Sequence, residues 1–325
     1  MSGPQTRIVF LDAATYGEIS LKRFTAKWDC TVHRITSSGE TIARLAGYRV
    51  AVTNKVVLDK AILSSREASE LKLIAVAATG TDIIDRDEAT KRGIAVCNVP
   101  GYATQSVAQF TLALMLELAT QVGKYVNAVK AGEWQKSGVF SVLTYPANEL
   151  NGKKLGIIGY GSIGRAVAEM ARGFGMDILI AARPGGAAPR LRERIPLEQL
   201  LRDADIVSLH CPLTPQTRNF INEHSLSLMK PTAFLINTAR GALIDETALI
   251  HALRKKRIAA AALDVITEEP PPADHPIVRA ANELDNLIVT PHTAWSAREA
   301  RERLLKEVEE NIAAFLQGRE RNRVA

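Results

Sequence analysis

The 325-residue sequence predicts an α/β chain built as two doubly wound parallel-sheet domains. Short β-branched or aliphatic runs alternate with helix-forming stretches in two successive series, a helix-rich stretch divides the series, and 46% hydrophobic residues are enough to fill two cores of ordinary size.

The first series has runs at Arg7 to Leu11, Thr31 to Ile35, Arg49 to Thr53, Leu73 to Ala77 and Ile94 to Cys97. Ser64-Ser-Arg-Glu67 has the Ser-x-x-Glu form of a capping box, so a helix is expected to start there and feed the run at Leu73. Between the series, Gly101 to about Gly132 carries Val107, Phe110, Leu114 and Leu118 at helical spacing and reads as one long linking helix. The second series has six runs: Leu155 to Ile158, Asp177 to Ala181, Asp205 to Leu209, Ala233 to Ile236, Ala259 to Leu263 and Leu287 to Val289. Ser296-Ala-Arg-Glu299, a second capping box, opens a helix to about Gln317, long enough to return to the first domain.

Bulk properties exclude several classes. The N-terminus lacks the cationic start and long apolar run of a secretory signal, and the longest apolar stretch, Phe110 to Ala119, is interrupted by Glu117 and too short for a bilayer. No membrane association is expected. Cys30, Cys97 and Cys211 are far apart, with no zinc or disulfide spacing, so no metal site is expected and a reducing, cytoplasmic location is. The net charge of +6 is spread out, and its densest run, Arg254 to Arg257, sits at a predicted helix C-terminus where cations favour the dipole; no nucleic-acid partner is expected.

Gly159-Tyr-Gly161-Ser-Ile-Gly164 follows the run Leu155 to Ile158 and precedes a helix-forming stretch, the context of a dinucleotide-binding turn. Gly159 permits the tight turn, Gly161 lets the backbone approach a pyrophosphate, and Gly164 lets the helix pack against the strand. The strand Asp177 to Ala181 should end at the adenosine ribose, where NAD enzymes place an acid. Here Ala182 and Arg183 follow, and Ile178 to Arg192 contains no carboxylate but three arginines, Arg183, Arg190 and Arg192. NADP(H) is therefore expected to be preferred, with NAD(H) usable; Arg183 can alternatively stack on the adenine.

Three polar groups follow three strands of the second series: Arg240 after Ala233 to Ile236, Glu269 after Ala259 to Leu263, and His292 after Leu287 to Val289. Ligands of open α/β sheets bind at such edges. Reducing a 2-keto acid needs a cation for the carboxylate and carbonyl, a proton donor for the alkoxide, and a nicotinamide facing C2. Arg240 and His292 suit the first two, and Glu269 suits the orientation of the imidazole. Singly, each has a duller use: a surface ion pair for Arg240, a loop cap for Glu269, a buried strand-end histidine for His292. Together, at three strand ends, they point to chemistry.

These residues, with Ala78-Thr-Gly-Thr-Asp82, Val96-Cys-Asn-Val-Pro-Gly-Tyr102, Ser106-Val-Ala-Gln109, His210-Cys-Pro-Leu-Thr214, Asn237 to Asp245 and Asp264 to Pro270, make the whole chain resemble the D-isomer-specific 2-hydroxyacid dehydrogenase family. Pro291-His-Thr-Ala-Trp295 is similar to the form in its glycerate dehydrogenase and hydroxypyruvate reductase members. The resemblance implies a flavodoxin-like substrate-binding domain over residues 1–100 and 296–325 and a Rossmann dinucleotide-binding domain over 101–295. It implies Arg240, Glu269 and His292 as the catalytic set, and Thr79, Gly80 and Thr81 as amide donors to the substrate carboxylate. It further implies Thr104, Ser162, Ile163, Pro212, Thr217, Thr238, Ala239 and Asp264 as cofactor-lining residues, Asp264 near the nicotinamide amide. A homodimer is implied through the cofactor domain, with the apolar Gly101 to Gly132 stretch and Trp134 as its contact.

The expected activity is NAD(P)-dependent reduction of a small 2-keto acid, hydroxypyruvate or glyoxylate, to D-glycerate or glycolate. A 2-ketoaldonate or other 2-keto acid reductase is the alternative within the class, and a nucleotide-sensing corepressor-like binding protein the alternative outside it. Turnover with NADPH and no affinity for short peptide motifs separates them.

Overall fold

The computed structural model describes residues 6–182 and 194–325, and the chain divides into two compact units, Met1–Ala103 with Ser296–Ala325, and Thr104–Trp295. The first unit is a five-stranded parallel sheet of β1 (Arg7–Phe10), β2 (Asp29–Val32), β3 (Val50–Thr53), β4 (Leu73–Val76) and β5 (Ala95–Cys97), ordered β2-β1-β3-β4-β5. That is the flavodoxin-like order. The central strands β3 and β4 are buried throughout, because helices cover both faces, and this is why they read as unbroken aliphatic runs. The helix Arg298–Leu316 packs against β4 through a stripe that includes Leu304, Leu305, Val308 and Ile312.

The second unit is a seven-stranded parallel sheet of β6 (Lys154–Ile158), β7 (Asp177–Ala181), β8 (Arg194–Ile195), β9 (Ile206–Leu209), β10 (Phe234–Asn237), β11 (Ala260–Leu263) and β12 (Leu287–Val289). Its order, β12-β11-β10-β9-β6-β7-β8, is the Rossmann arrangement extended by one strand. The order reverses between β6 and β9, which places a ligand crevice at the carboxyl ends of those two strands. On one face the helix Thr104–Thr120 packs against the helix Ser162–Arg172 and against β10 and β11.

Several expectations are corrected. The run Thr31 to Ile35 forms its strand two residues earlier, because Asp29 is the residue in register with Arg7 of β1; Ile35 lies outside the sheet, 70% exposed. No helix starts at Ser64. Asp59 caps a one-turn helix, Lys60–Leu63, by accepting from the Ile62 amide, and the Ser64 and Ser65 hydroxyls bond Glu88 and the Ile62 carbonyl instead of capping a new helix. The linking segment is two helices, Thr104–Thr120 and Val122–Lys130, broken at Gln121 with φ 53°. There the Glu117 carboxylate accepts from the Gly123 amide and the Gln121 side chain donates to the Pro146 carbonyl. The last helix is capped by Ala297 without a side-chain bond, so Ser296 forms no capping box. Finally, β8 is a strand beyond the six expected, two residues long and preceded by no aliphatic run.

Candidate active site

The turn after β6 needs its glycines for different reasons. Gly159 has φ 101°, and a Cβ there would stand 2.4 Å from the backbone at His210 and Cys211, where β9 ends. A Cβ on Gly164 would meet the Gly159 carbonyl at 2.2 Å, so this helix packs directly on the turn. At Gly161 a Cβ would meet nothing within 4 Å. Gly161 is also the N-cap of the helix Ser162–Arg172, whose first amides, including those of Ser162 and Ile163, therefore face open space. A helix N-terminus without a side-chain cap and with room for close approach fits the pyrophosphate of a dinucleotide.

The loop after β9 folds around Thr217, whose hydroxyl donates to the Pro212 carbonyl at 2.8 Å and accepts from the Thr214 amide at 2.7 Å. In the same edge the His210 ring bonds the buried Ser208 hydroxyl at 2.8 Å. Residues packed around the ring exclude enough water to hold this imidazole at about 4, so it is neutral at physiological pH. After β10, buried Asn237 folds the next loop on itself: its amide donates to the Arg240 carbonyl at 2.8 Å and its oxygen accepts from the Ala239 amide at 3.0 Å. Thr238 lies between, with its hydroxyl 3.0 Å from that of Thr111.

Asp264, after β11, is 1% exposed and uses both oxygens on the next strand's loop: it accepts from the Thr290 hydroxyl at 2.6 Å, the Thr293 amide at 2.9 Å and the Ala294 amide at 2.8 Å. Those bonds hold His292 in a left-handed conformation, φ 53°, with its own amide donating to the Asp264 carbonyl. For a non-glycine residue that conformation costs about 1 kcal/mol, and the surrounding bonds over-determine it. His292 Nδ1 meets Glu269 Oε2 at 2.5 Å, while Glu269 Oε1 accepts from the Ile266 amide at 2.9 Å. The carboxylate is therefore fixed at both oxygens, Nδ1 is the nitrogen that carries a proton toward it, and Nε2 points the other way. The side chains are a quarter to a third exposed, accessible to a small molecule.

Glu269 and His292 are thus in contact, and Arg240 stands on the loop after the adjoining strand. Thr104 is the first residue of its helix. Thr79, Gly80 and Thr81 belong to the first unit, just past β4, where the Thr79 hydroxyl donates to the Val99 carbonyl. Arg183, Arg190 and Arg192 lie outside the described residues. The site also includes a residue to which sequence reasoning gave no role: buried Ser106 donates to the Ala294 carbonyl at 2.6 Å and ties down the His292 loop across 188 residues. No local pattern signals it. His210 was legible only as the first residue of the His210-Cys-Pro-Leu-Thr214 motif.

Among the described residues no helix is long and apolar enough to cross a membrane, and no group of side chains could hold a metal ion.

Residues 112–294 match the family model of the D-isomer specific 2-hydroxyacid dehydrogenase NAD binding domain. Glycerate dehydrogenase of Methylorubrum extorquens is 38% identical over 97% of this chain and 98% of its own length, and glyoxylate reductase of Thermococcus litoralis is 43% identical over 82% and 79%. Among solved structures, an acyclic imino acid reductase in complex with NADPH and D-Arg superposes with a TM-score of 0.84 at 31% identity, covering 98% of this chain and all of the other. With its flavodoxin-like and Rossmann sheets, the chain belongs to the D-isomer-specific 2-hydroxyacid dehydrogenase family, oxidoreductases that act on the CH–OH group of 2-hydroxy acids with a nicotinamide cofactor.

Proposed function

We propose that this protein reduces hydroxypyruvate and glyoxylate to D-glycerate and glycolate, that Arg240, Glu269 and His292 are its catalytic residues, and that it prefers NADPH to NADH. The observation that carries the chemistry is the Glu269–His292 contact at the strand ends next to Arg240. The names of the glycerate dehydrogenase and glyoxylate reductase relatives support the substrate class.

A bound reduced nicotinamide supplies the hydride. The Arg240 guanidinium binds the substrate carboxylate and draws electron density from the C2 carbonyl, and His292 Nε2 donates a proton to the oxygen as it becomes an alkoxide. Glu269 accepts a hydrogen bond from Nδ1–H, which fixes the ring and leaves Nε2 as the nitrogen that faces the substrate oxygen. To the amides of Thr79, Gly80 and Thr81 we assign further bonds to the substrate carboxylate, and to Gly159, Gly161, Ser162, Ile163 and Gly164 the pyrophosphate. Thr104, Pro212, Thr217, Thr238, Ala239 and Asp264 are assigned to the rest of the cofactor. The preference for NADPH rests on sequence: with no carboxylate from Ile178 to Arg192, nothing there repels a 2′-phosphate, and we assign Arg183 to bind it.

The test is oxidation of NADPH and NADH, in parallel, with hydroxypyruvate and glyoxylate. We expect turnover favouring NADPH, and a loss of about 10²- to 10⁴-fold in kcat in His292→Ala. An NADH preference sinks the cofactor assignment, and a fully active His292→Ala sinks the catalytic one.

The protein is further assigned to the cytoplasm, as a homodimer. Free cysteines, two of them buried, support a reducing compartment. For the dimer the proposed contact narrows to the second half of the expected stretch, with Trp134, and extends to Phe140 and Leu143. The helix Thr104–Thr120 spends its apolar side chains inside its own unit, whereas Val122, Val126 and Val129 on one face of the next helix, with Trp134, Phe140 and Leu143, are exposed, Phe140 at 93%. Such a patch marks an interaction surface. Light scattering should give a dimer for the wild type and a monomer for Phe140→Asp; a monomeric wild type removes the assignment.

A further inference from the structure

We propose that Glu246, with Gly241 and His275, is a positioning residue that sets Glu269 against His292 by clamping the Ile266–Thr267 peptide. The inference rests on the catalytic reading above. The loop from Asp264 to Glu269 has to deliver one carboxylate to one imidazole nitrogen, and its middle is held from outside the loop. Glu269 Oε1 accepts from the Ile266 amide at 2.9 Å, and Glu246 Oε1 accepts from the next amide, that of Thr267, at 2.7 Å. Two consecutive amides are thus taken by two carboxylates, one of which is the partner of His292.

The third element is Gly241, beside Arg240. A Cβ there would stand 2.0 Å from the Ile266 carbonyl carbon, 2.1 Å from its oxygen and 2.5 Å from the Thr267 nitrogen. Only a glycine lets the Arg240 segment lie flat on this peptide. Glu246 follows five residues later, at the start of the helix Glu246–Arg254, so the segment that carries Arg240 touches the Glu269 loop twice. Behind Glu246, His275 Nε2 stands 3.7 Å from Oε2, and the histidine is 6% exposed with no partner for Nδ1 among the described residues. The buried imidazole thus flanks the Glu246 oxygen that the Thr267 amide does not use. The Ile266–Thr267 peptide is therefore the common reference for the substrate-binding arginine and for the carboxylate of the proton donor, and loosening it should misplace Glu269 without touching the cofactor turn.

Glu246→Ala removes the acceptor, and Glu246→Gln keeps an oxygen for the Thr267 amide. Amide exchange on the unliganded protein reads the clamp without any turnover: in Glu246→Ala, Thr267 and Ile266 should both exchange at least roughly tenfold faster, and in Glu246→Gln much less. In steady-state kinetics Glu246→Ala should lower kcat by about 10- to 100-fold with KM within about threefold, because a displaced carboxylate no longer orients the imidazole. The Kd for nicotinamide cofactor should stay within about threefold, and Glu246→Gln should recover most of kcat. Faster exchange at Thr267 alone, with Ile266 and kcat unchanged, overturns the inference, as does a Glu246→Ala that loses cofactor binding and activity together and is not rescued by glutamine. A wild type that turns over no 2-keto acid defeats the catalytic reading instead, and the two exchange rates then decide the clamp on their own.

Discussion

The two sheets use the same device at their carboxyl edges and mount different things on it. After β1, Asp12 accepts from the amides of Asn54, Lys55 and Val56, which follow the neighbouring strand β3. After β11, Asp264 accepts from Thr290, Thr293 and Ala294, which follow the neighbouring strand β12. In both, a buried carboxylate at one strand end gathers the donors of the next loop and fixes its path. In the first unit the fixed loop offers backbone and Lys55. In the second it holds His292 in a left-handed conformation against Glu269. The anchor is a property of the scaffold, while the chemistry depends on the residue the anchored loop presents. Removing the anchor should therefore register as lost activity in one unit and as lost stability in the other.

The largest effect is expected at Asp264. In Asp264→Ala three donors lose their acceptor and the His292 loop keeps only its backbone bonds and the Ser106 and Glu269 contacts, which should cost about 3 kcal/mol locally and lower kcat by about 10²-fold or more. Hydroxypyruvate turnover with saturating NADPH checks it; wild-type kcat with a destabilised His292 loop would break the comparison, since the anchor would then have no bearing on the proton donor.

Asp12→Ala should cost about 2 kcal/mol in the opening free energy of β1 and β3, read by amide exchange, with kcat within about threefold of wild type. Here pH sharpens the comparison. Burial outweighs the amide bonds and pushes the Asp12 carboxyl above its usual range. A raised folded pKa contributes stability that is fully present in acid and is lost as pH rises through it. The difference between wild type and Asp12→Ala should therefore be widest at low pH and narrow toward neutrality. A difference that widens instead would mean that the amides, and not burial, dominate this carboxylate.

What was legible in the sequence follows from how local each determinant is. The glycine turn at Gly159 to Gly164 is contained in six residues, and Arg240 and Glu269 follow runs that are aliphatic because their strands are central and covered on both faces, while His292 follows the edge strand β12, whose three residues are still all aliphatic. Two edge elements escaped. The strand β2 has one neighbour and its limits are set by register with Arg7, while β8 is two residues long. Contacts between distant segments escaped as well: the break at Gln121 depends on where Glu117 points, the Ser64 pattern is pre-empted by Asp59, and neither Ser106 with Ala294 nor Glu246 with Thr267 leaves a mark in a local window.

The smallest effect concerns His210, a half-buried titratable group near a strand end in the second unit, to be set beside Asp12 in the first. The two have opposite signs. Burial lowers the imidazole to about 4 from the ordinary 6.5, so between those values the unfolded chain binds a proton that the folded one refuses. Stability from this group is intact above the ordinary value and is lost as pH falls toward the lowered one. Between about pH 6.5 and 5.5 the loss should be about 1 kcal/mol, read as opening of β9 by amide exchange. His210→Gln keeps a polar partner for Ser208 but has no proton to gain, so it should flatten that acid limb while leaving the alkaline side unchanged. An unchanged acid limb would show that the His210 ring is hydrated in solution. It would then titrate as an exposed imidazole, and the crevice at the end of β9 would be wetter than the packing around the ring implies.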